Sequence, residues 1–379
     1  MYSVVAESLA DQLATLHSSM RERFAGVDRI AVALHDDKTG LLKTFVHSTD
    51  GPTPLERYET ALEGVPSLTS LAAERADRVI DDLSELAGSD HLHTAKVLEA
   101  GYRSSFTAPL FEGVQLIGFV FFDSKARAYF SGPRVEDLRT FTRLVSLAVL
   151  DSLVPARIVR SAVQVATRLT HFRDPETGAH LDRMSRYARL IIRAVAADNG
   201  LSDETVEFLF LFAPLHDIGK VAIPDAILLK RAPLSDAEFE VMKTHARRGG
   251  EIVDQVIGDL QLPNFPHAGM LRNLVVFHHE AFDGGGYPEG LSHGQIPIEA
   301  RIIAVADVFD ALMSQRPYKR AWTMEESLEF LVRGARTRFD PTCVNALTSQ
   351  TDAVEAIRQR FVDDAGSLTE SREGYAPDL

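Results

Sequence analysis

Residues 278–288 read His-His-Glu-Ala-Phe-Asp-Gly-Gly-Gly-Tyr-Pro, and this run decides how the carboxy-terminal half of the chain is interpreted. It joins two imidazoles that can bind metal to a loop whose glycines permit positive φ and close backbone approach. The pair of histidines alone proves little, because 13 histidines in 379 residues give about 0.4 such doublets by chance. The meaning of the run therefore depends on residues elsewhere in the chain.

Further residues of metal-ligand type lie near the ends of predicted helices. Glu176 and His180 are four residues apart, so a helix would present both on one face. His216 and Asp217 are adjacent, which suits a helix end where the histidine holds one metal and the carboxylate bridges two. The candidate ligands are Glu176, His180, His216, Asp217, His245, His278, His279 and Asp307. Imidazole and carboxylate without thiolate favour iron, manganese or another first-row divalent ion over structural zinc.

Each of these residues also has an ordinary structural interpretation. A single histidine such as His245 is more often a satisfied core or surface group than a ligand. Asp307 lies in the apolar helix pattern of residues 302–309, where an unpaired buried carboxylate would cost on the order of several kcal/mol. A bound cation would remove that cost, and a salt bridge to Arg301 or Lys319 is the alternative.

Taken together, the motifs resemble the HD-GYP family, a branch of the HD metal-dependent phosphohydrolases. The resemblance covers approximately residues 155–347 and includes, in order, residues 173–180, 216–220, 278–288 and 316–319 with His245 and Asp307 between them. It implies an all-helical bundle that holds two or three divalent ions, Fe or Mn, and hydrolyses the bacterial second messenger cyclic di-GMP to pGpG. Because family members that keep a glutamate at the position of Glu176 can hold three ions, hydrolysis is expected to continue to GMP.

The resemblance also implies roles for individual residues. Two cations lower the pKa of bound water and neutralise phosphate oxygens, so a hydroxide bridged by two ions is the expected nucleophile and Asp217 the expected bridging ligand. Lys220 would stabilise charge on the attacked phosphate. The expected substrate-binding residues are Lys220, Arg316, Lys319, Gly286 and Tyr287.

Three functional questions stay open in the sequence. The loop of residues 283–288 could line the substrate pocket or dock a diguanylate cyclase partner. The chain could instead be a signalling module that binds cyclic di-GMP with little or no turnover. It could also be an HD phosphohydrolase that acts on another cyclic dinucleotide.

Composition favours a cytoplasmic enzyme. The single cysteine, Cys343, excludes an intramolecular disulfide. No run reaches the roughly 18 apolar residues of a membrane span, so membrane insertion is not expected. The formal net charge of −14 opposes binding to nucleic-acid polymers, whose contacts are dominated by phosphate neutralisation.

The amino-terminal part, residues 1–150, has a different pattern from residues 151–379. Short β-type runs at 29–34 and 43–46 alternate with polar turns, and residues 105–110 and 116–122 predict a hairpin. Flanked by helices, this α+β pattern is similar to a GAF sensor domain. An unrelated α+β dimerisation domain is the alternative.

A long helix is predicted to join the two domains. An apolar face begins after Pro133, and Pro155 suits the first turn of a new helix over residues 156–170. Such a helix could pair with its copy in a homodimer or pack on its own domain. Two capping boxes predict further helix starts, at Ser235 with Glu238 and at Thr323 with Glu326.

Overall fold

The computed structural model describes residues 8–51, 53–86, 92–169, 178–230, 232–262, 265, 267–314 and 320–362. The chain divides into two compact units, one of Met1–Val154 with Ser202–Glu204 and the other of Pro155–Leu201 with Thr205–Leu379. No helix of the described residues is long and apolar enough to cross a membrane.

The first unit is built on a six-stranded antiparallel sheet with the strand order β3-β2-β1-β6-β5-β4. Its strands are β1 (Arg29–Asp36), β2 (Leu41–Thr49), β3 (Glu59–Ala61), β4 (Arg78–Ile80), β5 (Ser104–Glu112) and β6 (Gln115–Ser124). The helices of this unit are α1 (Leu9–Arg23), α2 (Pro66–Glu74) and α3 (Leu92–Glu99), and α4 (Pro133–Leu169) follows β6. The sheet with flanking helices confirms the predicted α+β class.

The predicted hairpin is formed by β5 and β6. Glu112 pairs with Gln115 across the turn, where Gly113 has a φ of +60° that a side chain would disfavour. Deeper in the hairpin, Phe106 lies opposite Phe122, and both rings are fully buried. Residues on both faces of these two strands are largely buried, so the hairpin lies in the core of the first unit.

Helix α4 corrects one prediction from the sequence. The prediction that a new helix begins at Pro155 was wrong, because Pro155 lies inside the continuous helix α4. Proline within a helix removes a hydrogen bond and costs about 3 kcal/mol. Residues on both sides of it continue one buried face, with Val149, Leu153, Ala156 and Val159 each at most 1% exposed.

The named elements of the second unit are helical, as predicted. They are α5 (Gly178–Val195), α6 (Asp203–Phe212), α7 (Asp225–Leu228), α8 (Asp236–Asp259), α9 (Ala268–Phe277), α10 (Ile298–Met313), α11 (Met324–Arg333), α12 (Pro341–Thr348) and α13 (Thr351–Arg360), with Asp203 and Glu204 belonging to the first unit. Both predicted capping boxes are present, at the start of α8 and of α11.

Two adjacent glycines let α8 pack closely on α9. A Cβ atom on Gly249 would lie 2.5 Å from Cγ1 of Val275, and one on Gly250 would lie 2.6 Å from Cγ2 of Val276. Side chains at these positions would push the helices apart. The close approach brings His245 on α8 near the histidines that follow α9.

Candidate metal centre

The structure gathers seven of the eight predicted ligands into two groups of the second unit. In each group, the candidate ligand atoms all lie within 4.8 Å of one another. The first group is Asp217, His245, His278 and His279, and the second is His180, His216 and Asp307. The eighth predicted ligand, Glu176, lies outside the described residues.

Asp217 lies between the two groups. Its Oδ1 atom is 3.2 Å from Nε2 of His245 and 3.5 Å from Nε2 of His278. Its Oδ2 atom is 3.2 Å from Nε2 of His216, a member of the second group. One carboxylate therefore faces both groups, with one oxygen toward each.

Three histidines are oriented by backbone carbonyl groups. The Nδ1 atoms of His216, His245 and His278 lie 3.0, 2.8 and 3.0 Å from the carbonyl oxygens of residues 213, 242 and 275. A carbonyl oxygen can only accept, so each Nδ1 carries the proton and donates it. In the neutral ring, Nε2 then has a free lone pair directed at the group, which is the arrangement of a metal-ligating histidine.

His180 is oriented by a carboxylate instead. Its Nδ1 atom donates to Oδ2 of Asp310 at 2.7 Å, and its Nε2 atom is 3.8 Å from Oδ1 of Asp307. Asp310 is fully buried and also accepts from Nε of Arg183 at 2.7 Å. Sequence reasoning missed Asp310 and Arg183, although the spacing of three between Asp307 and Asp310 was the available signal.

The pattern of burial and charge suits cations. Oδ1 of Asp217 and Nε2 of His245 and His278 are buried without a hydrogen-bond partner among the described residues, and each such atom costs about 1–3 kcal/mol. Burial, with His278 and His245 nearby, holds the pKa of His279 well below its ordinary value. The imidazole is therefore neutral, which is the form that binds metal. The donor set fits divalent ions that take nitrogen and oxygen ligands.

Lys220 lies beside Asp217. Its Nζ atom is 2.7 Å from Oδ2 of Asp217. Burial alone would raise the pKa of Asp217, but Lys220 and His216 outweigh it and the net pKa lies well below the ordinary value. The predicted substrate-binding residues Arg316 and Lys319 lie outside the described residues.

The carboxylate of Glu280 holds the loop that follows the two histidines. Its oxygens accept the backbone N–H groups of Glu289 at 2.7 Å and Leu291 at 3.0 Å. Glu280 is 4% exposed, and burial raises its pKa. The third residue of the His-His-Glu run therefore serves the loop, and it is absent from both candidate metal groups.

Gly286 and Tyr287 pack directly against the first group. A Cβ atom on Gly286 would lie 2.1 Å from the backbone nitrogen of Ala281 and 2.5 Å from the carbonyl oxygen of His279, so only glycine fits. The ring of Tyr287 stacks on that of His279 with centroids 4.7 Å apart. The predicted substrate-binding part of the loop thus packs against His279, a candidate metal ligand.

Arg301, one alternative partner of Asp307, bonds elsewhere. Its Nη1 atom donates to Oδ2 of Asp340 at 2.5 Å. The other alternative partner, Lys319, lies outside the described residues. Among the described residues, Asp307 faces His180 and His216, with its Oδ1 atom 3.8 Å from Nε2 of each.

The two groups of ligand atoms on a helical bundle form a candidate metal centre, and the chain was compared with known families. Residues 175–343 match the family model of the HD domain, and residues 8–149 match that of the GAF domain. The chain therefore carries a GAF domain followed by an HD domain, as the resemblance implied. HD-domain phosphohydrolases are metal-dependent, and the two groups of ligand atoms are possible metal-binding sites.

Several proteins resemble about half of this chain. The cyclic di-GMP phosphodiesterase response regulator RpfG of Xanthomonas campestris is 45% identical over 53% of this chain and 50% of its own length. A cyclic di-GMP phosphodiesterase of Vibrio cholerae is 38% identical over 54% of this chain and 42% of its length. The 3'3'-cGAMP-specific phosphodiesterase 2 of the same organism is 37% identical over 50% and 34%. The chain thus spans half or less of the length of these relatives.

Proposed function

We propose that this chain is a metal-dependent phosphodiesterase that hydrolyses cyclic di-GMP to pGpG and on to GMP, regulated by its GAF domain. The observation that carries the proposal is the Asp217 carboxylate, which faces two groups of ligand atoms at once. The names of the relatives supply the substrate. In this proposal the sensor domain comprises residues 1–150 and the catalytic domain residues 151–379.

The residues divide the work as follows. His180, His216 and Asp307 would hold one ion, and His245, His278 and His279 the other, with Asp217 shared. When bound, the two ions would supply charge neutralisation and an acidified water. Lys220 would stabilise the developing charge on the phosphate. Arg316 and Lys319 would bind the phosphates, and Gly286 with Tyr287 would form part of the pocket wall.

The identity and number of the ions are part of the proposal. Imidazole and carboxylate donors without thiolate support Fe or Mn. Glu176 would add a carboxylate on the His180 side and so allow a third ion. That ion would help to hold the terminal phosphate of pGpG, which is more anionic than a diester.

The decisive experiment is turnover by purified protein that has been loaded anaerobically with Fe²⁺ or Mn²⁺. Cyclic di-GMP, 3'3'-cGAMP and a nucleoside monophosphate would be supplied in parallel, and products followed by chromatography. We expect cyclic di-GMP to be hydrolysed fastest. Tight binding of cyclic di-GMP without turnover in the loaded protein would instead establish a signalling module.

The similarity to the cGAMP-specific relative supports a second candidate, a phosphodiesterase for a hybrid cyclic dinucleotide. The metal-binding residues would act in the same way on either substrate, because both contain the same phosphodiester linkage. The ratio of kcat/KM for the two cyclic dinucleotides distinguishes these functions. A ratio that favours 3'3'-cGAMP would replace the first proposal.

We further propose a homodimer that forms through α4. Leu144, Leu147, Ile158 and Val165 are 41%, 63%, 46% and 53% exposed, and their spacings of three, eleven and seven residues fit one heptad seam. Light scattering should show a dimer that Leu147→Glu with Ile158→Glu converts to a monomer, whereas Val332→Glu on α11 should not. A monomeric wild type would contradict this.

Two further elements of the proposal concern the cell. A cytoplasmic location is supported by the single cysteine, Cys343, which is buried and free. The loop that contains Gly286 and Tyr287 is proposed as a docking site for a diguanylate cyclase. Co-purification with a cyclase, lost on substitution of the exposed Glu289, would support that role.

A further inference from the structure

His180 lies between two carboxylates of the same helix. Asp307 and Asp310, three residues apart on α10, present their side chains to opposite nitrogens of the ring. Nε2 faces Asp307 at 3.8 Å, whereas Nδ1 donates to Asp310 at 2.7 Å. By contrast, His216, His245 and His278 are oriented by backbone carbonyl oxygens. The ligand His180 therefore depends on a side chain, which can be substituted.

Asp310 is held rigidly in its place. Arg183 donates two hydrogen bonds to its carboxylate, from Nε to Oδ1 at 2.7 Å and from Nη2 to Oδ2 at 2.9 Å. Asp310 is fully buried and Arg183 is 5% exposed. A bidentate pair of this kind keeps the carboxylate ionised and fixes its plane. The second oxygen, Oδ2, is then aimed at His180.

The same arginine reaches the end of α13. Its Nη1 atom donates to the carbonyl oxygen of Phe361 at 2.9 Å, and Phe361 is the capping residue that directly follows α13. Contacts thus run without a gap from the end of α13 through Arg183 and Asp310 to His180. These hydrogen bonds connect the end of α13 with a candidate ligand.

We propose that Asp310 and Arg183 are positioning residues that hold His180 as a ligand and so control occupancy of one ion, the one between His180, His216 and Asp307. This rests on the metal centre of the proposed function. A carboxylate can only accept, so it fixes the proton on Nδ1 and frees the Nε2 lone pair. An amide at position 310 can donate to Nδ1, which would leave the proton on Nε2 and block that nitrogen.

The test compares Asp310→Asn with Glu207→Gln in the whole chain of 379 residues. Both replacements neutralise a buried carboxylate that pairs with an arginine of α5, since Glu207 accepts from Nε of Arg189 at 2.9 Å. Mn²⁺ is titrated into metal-free protein, and elemental analysis and the electron paramagnetic resonance of paired Mn²⁺ are recorded beside the thermal midpoint.

For Asp310→Asn we expect the Mn²⁺ affinity of the site between His180, His216 and Asp307 to fall by about 10- to 100-fold. The affinity of the other site should change little, and the signal of paired Mn²⁺ should be lost. Glu207→Gln should keep both steps. Arg183→Lys, which retains the charge but not the bidentate geometry, should weaken the same step, and it decides the matter if Asp310→Asn does not fold.

Wild-type affinity for both ions in the Asp310 and Arg183 variants would overturn the proposal. So would equal weakening of both steps, since that indicates a general loss of structure. Because the titration needs no substrate, it decides the positioning role independently of whether cyclic di-GMP is hydrolysed.

Discussion

The α-carbon of Gly219 lies against the backbone of His245, so close that a Cβ atom there would be 1.8 Å from the carbonyl oxygen of His245. Gly219 belongs to the short helix Ile218–Ala222 that directly follows Asp217, and His245 is in the middle of α8. The contact therefore joins the segment that directly follows Asp217 to the helix that carries His245, a member of the first group. We expect this contact to keep Asp217 and His245 close together.

Gly219→Ala should therefore separate Asp217 from His245. Overpacking of this kind costs about 1–3 kcal/mol, and we expect a lower thermal midpoint together with lower metal content. Gly258→Ala on the same α8 is the control, because a Cβ there meets nothing within 4 Å. Normal metal content in Gly219→Ala would show that the contact does not set the ligand geometry.

Asp217→Asn should remove both ions rather than one. Its two oxygens face different groups, and an amide supplies neither the charge nor two equivalent oxygen donors. Since loss of outer-shell partners alone costs about 10–100-fold, we expect activity to fall by more than about 100-fold. Elemental analysis beside Asp259→Asn, an exposed position, checks the result. Retention of two ions would exclude Asp217 as the shared ligand.

Lys220→Met should leave the ions bound and slow the reaction. Lys220 contacts Asp217 at 2.7 Å, and in the proposed function it stabilises the charge that develops on the phosphate. Removal of such a stabilising group costs about 2–4 kcal/mol in the transition state. Steady-state kinetics with measured metal content should show a lower kcat at unchanged stoichiometry. An unchanged kcat would leave Lys220 with a structural role only.

Glu176→Gln tests the third ion that the sequence predicts. We expect fewer ions per chain and accumulation of pGpG, with the first cleavage partly retained. The reason is that loss of the carboxylate would weaken binding of the ion that holds the terminal phosphate. A chromatographic time course with elemental analysis measures both effects. A wild type that itself stops at pGpG with two ions would contradict the prediction.

The capping box of α11 predicts a pH dependence of stability. Hydrogen bonds from Arg320 and from the backbone of Thr323 lower the pKa of Glu326 to about 2 from its ordinary 4.5. Because the folded-state pKa is depressed, the carboxylate stabilises the protein above about pH 4.5, and this contribution is lost as the pH falls toward 2.

The free energy of unfolding measured from pH 7 to pH 3 checks this dependence. Glu326→Gln should be less stable than wild type at pH 7, with the difference shrinking at low pH. Glu325→Gln in the same turn should show no such trend. A difference independent of pH would mean that the charge of Glu326 does not contribute.

Local features of the fold were readable from the sequence. The hairpin of β5 and β6 and the capping boxes at Ser235 and Thr323 were predicted and are present. Each of these features is formed by residues that are close together in the chain, so the local sequence pattern is enough to predict it. The prediction of a new helix at Pro155 was wrong, because Pro155 lies inside α4 and residues on both sides of it are buried.

The sequence by itself determined which donors are available, because ligand chemistry is a property of residue type. The sequence identified the histidines and carboxylates and the helices that carry them, but not which of these residues share a group. Tertiary structure alone decided that His180 shares a group with Asp307, 127 positions later, and that Asp310 orients it. The polar atoms around His180 are buried away from water because helices that are far apart in the chain pack against one another there.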